Sequence, residues 1–268
     1  MESREWYQLL NMHNRGAIVS GHMEAIEIIT YNDRTQDAGI ILYGDYKIII
    51  PTDEMDLVDV NMNEKREKLR SVVRGLLGAK IDCIIISIDN ETKTVIASRK
   101  KANEIKKKNV SEIAIGDTIL VNIMGTGRNE ALVEYNGRQY KVPINEIAWG
   151  RVYDIRDYIK VGDTVKMLVT DISEVGEAQL SLRLLTDDPF KKYVEELDFY
   201  KTQGEYKGVV RGIRENGIYV ELRPGITVLC NYPNWQDYKP TMNQNVCVMI
   251  KRVRLEKKLI DGALIREL

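Results

Sequence analysis

Apolar and polar residues alternate with a period of two along much of this chain, and the pattern is cleanest between Gly204 and Asn231, GEYKGVVRGIRENGIYVELRPGITVLCN. In IYVEL, Ile218, Val220 and Leu222 point one way while Tyr219 and Glu221 point the other, as in a half-buried strand. Glu215-Asn216-Gly217 before it and Arg223-Pro224-Gly225 after it are turn signals, so the stretch predicts three short antiparallel strands joined by two hairpins. Strands with one apolar face suit a small closed barrel whose interior is filled by that face. Tyr219 is thereby predicted on the outer face, with Lys207, Arg211 and Arg214 beside it. A ring fringed by cations offers a single strand of nucleic acid a surface for a base and charges for its phosphates.

The same succession of elements is predicted twice upstream. ESREWYQLLNMHN reads as a short helix with Trp6, Leu9, Leu10 and Met12 on one side, Ser3 as its cap and Gly16 as its stop. GAIVSGHMEAIEIITY is a long strand, AGIILYGDYKIIIP a hairpin turning at Tyr43-Gly44-Asp45, and NEKREKLRSVVRGLLG a helix with Leu69, Val72, Val73 and Leu76 on its apolar stripe. KIDCIIISIDNETKTVIASRKKA closes the copy as a hairpin turning at Asn90-Glu91. Three strands, a helix and two strands is the OB order, with the helix plugging the open end of the barrel. The order recurs from Gly116 through GDTILVNIMGTG, EALVEY, RQYKVPI, a connection containing Ile147 and Trp149, GDTVKMLVTDI and AQLSLRLL. It recurs again from Gly204 to NVCVMIKRVRLEKKLIDGALI. The expected fold is mainly β: three tandem five-stranded OB-type barrels, with boundaries at 1–104, 110–186 and 187–268, the last including a helical linker.

Charge changes this picture locally. The chain carries 39 Lys plus Arg against 40 Asp plus Glu, so its total gives no argument for a polyanionic partner. Residues 1–104 hold 14 basic and 17 acidic groups while 187–268 hold 14 and 12, so the balance turns positive where the aromatics gather. Between the first two copies RKKANEIKKK, Arg99 to Lys108, is either a solvated helix end or a bridge that tracks phosphates. Before the third copy, DDPFKKYVEELDFYK predicts a helix starting at Pro189, with Phe190, Val194, Leu197 and Phe199 on its apolar stripe.

Cys83, Cys230 and Cys247 form no CxxC pair and read as buried thiols of a reducing compartment. No apolar run approaches the ~20 residues of a membrane helix, and MESREWYQLL lacks the apolar stretch of a signal peptide, so a cytoplasmic protein is expected. His13 and His22 are the only histidines, and neither sits in a metal-ligand pattern. No nucleophile or phosphate-loop motif is present either, and GTGRNE lacks the strand-and-helix setting of a dinucleotide loop. Neither an enzyme nor a cofactor is expected.

Several phrases also carry a family resemblance. ENGIYVELRPGITVLCN resembles the core of the RNA-binding repeat named from ribosomal protein S-one, whose usual form is close to DFGAFVDLGGGVEGLVH. YIKVGDTVKMLVTDISEVGEAQLSLRLL is similar to the second half of that repeat, KVGDEVKVKVLKVDERKRISLSLK, and IDCIIISIDNETKTVIASRKKA to the same half in the first copy. VPINEIAW resembles VHISELSW with Pro143 in the histidine slot, which Pro51 takes in KIIIPTDEM.

The resemblance implies an OB-type barrel and places Asn216 and Tyr219 at the two groove aromatics and Asn231 at the histidine; Tyr219 alone keeps the aromatic type. In the second copy the slots hold Asn129, Leu132 and Pro143, which implies a spacer or protein-docking barrel with Tyr140 and Arg138 as the remaining groove candidates. In the first copy Tyr43, Tyr46 and Lys47 lie near the corresponding hairpin. The candidate RNA-binding residues are Tyr219, Lys207, Arg211, Arg214, Asn216, Asn231, Tyr232, Lys251, Arg252 and Arg254. Trp235 and Tyr238 follow Tyr232, and one of these three rings is expected to plug the third barrel.

The resemblance implies binding of single-stranded RNA with low sequence specificity, with the ribosome or messenger RNA as the setting, in a bacterial or mobile-element relative of the ribosomal protein. No membrane or small-molecule partner is expected. A protein-interaction scaffold that keeps the barrels without nucleic-acid affinity, or a transcription accessory factor, is the alternative.

Overall fold

The computed structural model describes residues 4–58, 65–108, 113–174, 176–233 and 239–268. The expected cap Ser3 and the aromatics Trp235 and Tyr238 lie outside the described residues. The fold is mainly β and consists of three successive five-stranded sheets. The chain packs as two units, residues 1–142 with 156–180, and residues 143–155 with 181–268.

The first unit opens with α1 (Arg4–Arg15) and then β1 (Ile18–Tyr31), β2 (Arg34–Tyr43), β3 (Tyr46–Pro51), α2 (Arg66–Gly75), β4 (Lys80–Asp89) and β5 (Thr94–Ser98). These strands close into a barrel of order β1-β2-β3-β5-β4, in which β3 and β5 run parallel and the other described pairs antiparallel. Val19, Met23, Ile41, Ile48, Ile50, Ile81, Cys83 and Ile85 fill its interior. Val73 of α2 and Leu76, the residue just past its end, enter the same core, so this helix plugs the barrel as its stripe predicts. Leu9 of α1 is fully buried there, and Trp6 and Met12 pack against it.

The first-copy groove candidates are used internally. Tyr46 is buried and stacked on Trp6, with ring centroids 5.9 Å apart, because α1 covers this end of the barrel. Lys47 is paired with Glu27 at 2.7 Å, and the Tyr43 hydroxyl donates to Gln8.

β6 (Thr118–Thr126), β7 (Glu130–Tyr135), β8 (Arg138–Pro143), β9 (Thr164–Ile172) and β10 (Ala178–Ser181) form the middle sheet, ordered β10-β9-β6-β7-β8. Its neighbours match those of the first barrel, but the sheet does not close where the second of three barrels is expected. Closure needs β8 against β10. β10 has only four residues to offer for it. Tyr140 is buried here.

The basic run between the first two sheets is α3 (Arg99–Lys108), and it is neither a free helix end nor a phosphate track along its whole length. Arg99 is fully buried, donating to Glu134 of β7 at 2.5 Å and to the Met55 carbonyl at 2.9 Å. Lys106 donates to Asp82 of β4 at 2.7 Å and to Glu134 at 2.9 Å. Asn103, also buried, donates to Asp56 at 2.8 Å. Lys100, Lys101, Lys107 and Lys108 stay exposed. The helix therefore fastens β4 to β7 with one face and shows cations on the other.

In the second unit, β11 (Glu205–Arg214), β12 (Gly217–Arg223), β13 (Ile226–Asn231), β14 (Asn245–Arg254) and β15 (Leu259–Glu267) close into a barrel of order β11-β12-β13-β15-β14. Val210, Ile218, Val220, Ile226, Val228, Cys230, Val246, Val248 and Ile250 make its interior. Burial pushes the Cys83 and Cys230 thiols up to about 12, leaving both as protonated core residues.

The linker before β11 winds as a π-helix over Lys191–Glu196, with Asp188 capping it through the Phe190 amide. Phe190 and Val194 reach the barrel core as expected, but Leu197 and Phe199 are 60% and 52% exposed and Tyr200 is buried in their place. A stripe spaced for 3.6 residues per turn falls out of phase when hydrogen bonds run i to i+5, as from the Leu197 amide to the Lys192 carbonyl.

Candidate nucleic-acid interface

β12 alternates as its sequence requires, with Ile218 and Val220 in the core and Tyr219 turned to the outside of the barrel. Pairing sets Tyr219 opposite Gly212 on β11 and Leu229 on β13. A β-bulge between Val210 and Gly212 makes Arg211 the extra residue of β11, and its guanidinium turns to Glu221 at 3.0 Å and Asn243 at 2.8 Å. Asn216, in the β11–β12 turn, donates its side-chain amide to the Tyr219 hydroxyl at 2.8 Å. The Tyr232 hydroxyl donates to the Arg214 carbonyl at 2.9 Å. Asn231 follows Cys230, the partner of Ile218, and so falls level with Gly217 at the same end. Arg214, Asn216, Tyr219, Asn231 and Tyr232 thus gather at one end of the barrel.

The remaining candidates lie farther round the same barrel. Arg252 of β14 pairs with Asp261 of β15, Asp261 with Leu229 of β13, and Leu229 with Tyr219, so Arg252 stands three strands along the row that holds the ring. Three inter-strand spacings are roughly 14 Å. Arg254 is paired with Asp261 at 2.5 Å. Lys207, Lys251 and Arg252 are exposed and hold no ion pair among the described residues.

Tyr219 faces outward yet is only 7% exposed. Its cover comes from residues 143–155, which belong to the second copy by sequence and pack with the third barrel in space. The Arg151 guanidinium carbon sits 4.2 Å from the Tyr219 ring centroid, and the Tyr153 ring lies 6.2 Å away at 59°. Gly212 makes room for the latter: a Cβ at this position would stand 2.3 Å from Tyr153 Cε1. The Tyr153 hydroxyl is buried without a hydrogen-bond partner among the described residues, and burial raises its pKa well above the usual phenol range.

The covering segment is held upstream. Glu146 pairs with Arg183 at 2.9 Å, Arg183 stacks over Trp149 at 4.9 Å, and the Trp149 indole donates to the Thr186 carbonyl at 3.0 Å. Gly150 follows at φ +76°, so close to Gly225 that a Cβ would lie 2.7 Å from its carbonyl oxygen.

Arg151, Tyr153 and Gly212 are the site residues that sequence reasoning missed. A glycine inside a strand signals a bulge or a close approach, and GRVYD pairs a cation with an aromatic just as the third copy does. Nothing in the local pattern says that this connection lies against the next barrel.

Residues 112–183 match the S1 RNA binding domain. The chain is 31% identical over 155 residues to the polyribonucleotide nucleotidyltransferase of Lactococcus lactis subsp. lactis, covering 55% of this chain and 19% of that protein. It is 26% identical over 168 residues to small ribosomal subunit protein bS1 of Rhodopseudomonas palustris (59% and 29%), and 26% identical over 177 residues to the 4-hydroxy-3-methylbut-2-enyl diphosphate reductase of Fusobacterium nucleatum (62% and 21%). The chain thus spans less than a third of the length of these relatives. Among solved structures, GSP13 from Bacillus subtilis is similar at 25% identity over 34% of this chain and 78% of that one, with a TM-score of 0.26. The a/eIF2alpha-aDim2p-rRNA complex from Pyrococcus horikoshii contains a chain similar at 27% identity over 33% of this chain and 55% of that one, with a TM-score of 0.27. The stretch similar to the S1 RNA binding domain, residues 112–183, is thus the middle copy, and the closed barrel that follows it in sequence has the same order of strand neighbours.

Proposed function

We propose that this protein binds single-stranded RNA with low sequence specificity, using the outer face of the third barrel as its main contact and working in a translation or ribosome-associated setting. The observation that carries the reading is the outward Tyr219 ring, fixed by Asn216 at 2.8 Å and set among Arg214, Asn231 and Tyr232 at one barrel end. Such a face accepts any base by stacking, and phosphate contacts carry no sequence.

The comparisons lend support in a second way. A nucleotidyltransferase, a ribosomal protein and a diphosphate reductase share a segment with this chain while their named activities differ. A part common to such different proteins is better read as a binding module than as a catalytic one, and we read this chain as a binder without catalytic activity. The name of the ribosomal relative supports the translation setting.

A fluorescence-anisotropy titration with a short labelled RNA at two salt concentrations tests the reading. Binding should weaken with salt, and Tyr219→Ala should cost about 1–3 kcal/mol, the worth of one stacked base. A protein-docking barrel is favoured by one observation, the cover over Tyr219, and predicts no RNA binding in this assay.

A further inference from the structure

The Tyr219 face is built and already occupied. Arg151 stacks on the ring at 4.2 Å, and Tyr153 fills the slot left open by Gly212. An aromatic ring and a planar cation laid against one tyrosine occupy the place where a base would stack.

The fit is tight but incompletely satisfied. Among the described residues the Tyr153 hydroxyl buries its oxygen without a partner, a defect that disfavours the covered arrangement. Arg151 remains exposed to solvent, and Gly150 stands immediately before it in a left-handed backbone conformation. Firm anchoring at Glu146 and Trp149 therefore gives way to a short piece whose two functional side chains are held by stacking and shape alone among the described contacts.

We propose that Arg151 and Tyr153 form a built-in cover that competes with RNA for the Tyr219 ring, so that a strand binds only when Tyr153 leaves the Gly212 slot. This rests on the reading of the Tyr219 face as an RNA platform. Affinity is then the intrinsic affinity reduced by the fraction of molecules whose face is open. The displaced Arg151 becomes a phosphate contact, so opening exposes a ring and releases a cation together.

The test is anisotropy of a labelled single-stranded oligouridylate RNA on the full chain. Tyr153→Ala empties the slot, and Gly212→Ala intrudes on it from the other side. Each should raise affinity about tenfold if roughly nine molecules in ten are covered. Tyr153→Phe keeps the ring, removes the orphaned hydroxyl and should lower affinity. Adding Tyr219→Ala should abolish the gain in either opened variant.

A gain in both opened variants supports the cover. If the wild type binds and loses affinity with Tyr219→Ala, while Tyr153→Ala and Gly212→Ala leave affinity unchanged or reduce it, the cover is overturned and the platform stands. If neither the wild type nor either opened variant binds, platform and cover fail together. Gly212→Ala keeps the question open to measurement should Tyr153→Ala unfold the barrel.

Discussion

Tyr219 shows how far a single residue can be read from its neighbours. Alternation with Ile218 and Val220 fixes which way the ring points, because a strand residue and its neighbours must face opposite sides. Exposure is a different property, set by whatever lies across the face, and here that is Arg151 and Tyr153 from more than sixty positions away. Tyr46 fails in the opposite way. It sits near the matching hairpin of the first copy, yet Trp6 draws it into the core. Tyr219→Phe isolates the role of the ring. It removes the bond from Asn216 while keeping the stacking face, so RNA affinity should stay within a few-fold of wild type and thermal stability should fall by about 0.5–1.5 kcal/mol. An affinity loss as large as that of Tyr219→Ala would show that the hydroxyl, and not the ring, makes the contact.

Elements were legible in order and type where their period was long and clean. β1 to β5, β11 to β15 and the plug helix α2 follow the predicted succession because alternating apolar residues have one way to fill a barrel. The basic run was not legible as α3, since its cations look alike in sequence and their fates depend on Glu134 and Asp82, which other strands bring up. Removing the carboxylate with Glu134→Gln leaves Arg99 buried and unpaired and should destabilise the first unit by about 3–5 kcal/mol in urea unfolding. Lys100→Ala and Lys101→Ala, on the exposed side, should stay within about 0.5 kcal/mol of wild type.

The same clasp predicts a pH window. Burial works against the Asp82 carboxylate, but Lys106 and Ser20 outweigh it and hold its pKa below the usual carboxylate range. Its contribution is therefore present above its unfolded pKa of about 3.9 and lost as pH falls through the lower folded value. Burial likewise works against the Lys106 charge, and Glu134 with Asp82 outweighs it and raises the pKa. That contribution is full below about 10.4 and disappears as pH rises through the higher folded value. Urea midpoints of Asp82→Asn and wild type should accordingly differ most between these limits and converge in acid. A constant difference down to pH 2 would contradict the assignment.

For the whole molecule, repeats in the sequence point to three tandem barrels with the third as the main contact, and the structure closes the first and the third. The middle copy matches the S1 RNA binding domain through its strand framework yet stays open, and its connection 143–155 packs with the barrel that follows. Local pattern cannot reveal this, because a connection is polar and irregular wherever it lands. The low specificity proposed above implies that phosphate contacts carry much of the affinity. If Lys207, Arg214, Lys251 and Arg252 each take a phosphate, the logarithm of the binding constant should fall with the logarithm of salt at a slope of about −3. A slope near zero would rule out this strand path.

Which copy touches RNA is answered by crosslinking. An oligonucleotide carrying a photoreactive uridine, irradiated on the full chain and mapped by mass spectrometry, should attach within residues 205–232, at or beside Tyr219. Crosslinks confined to residues 112–183, which match the S1 RNA binding domain, would place the contact on the middle copy instead.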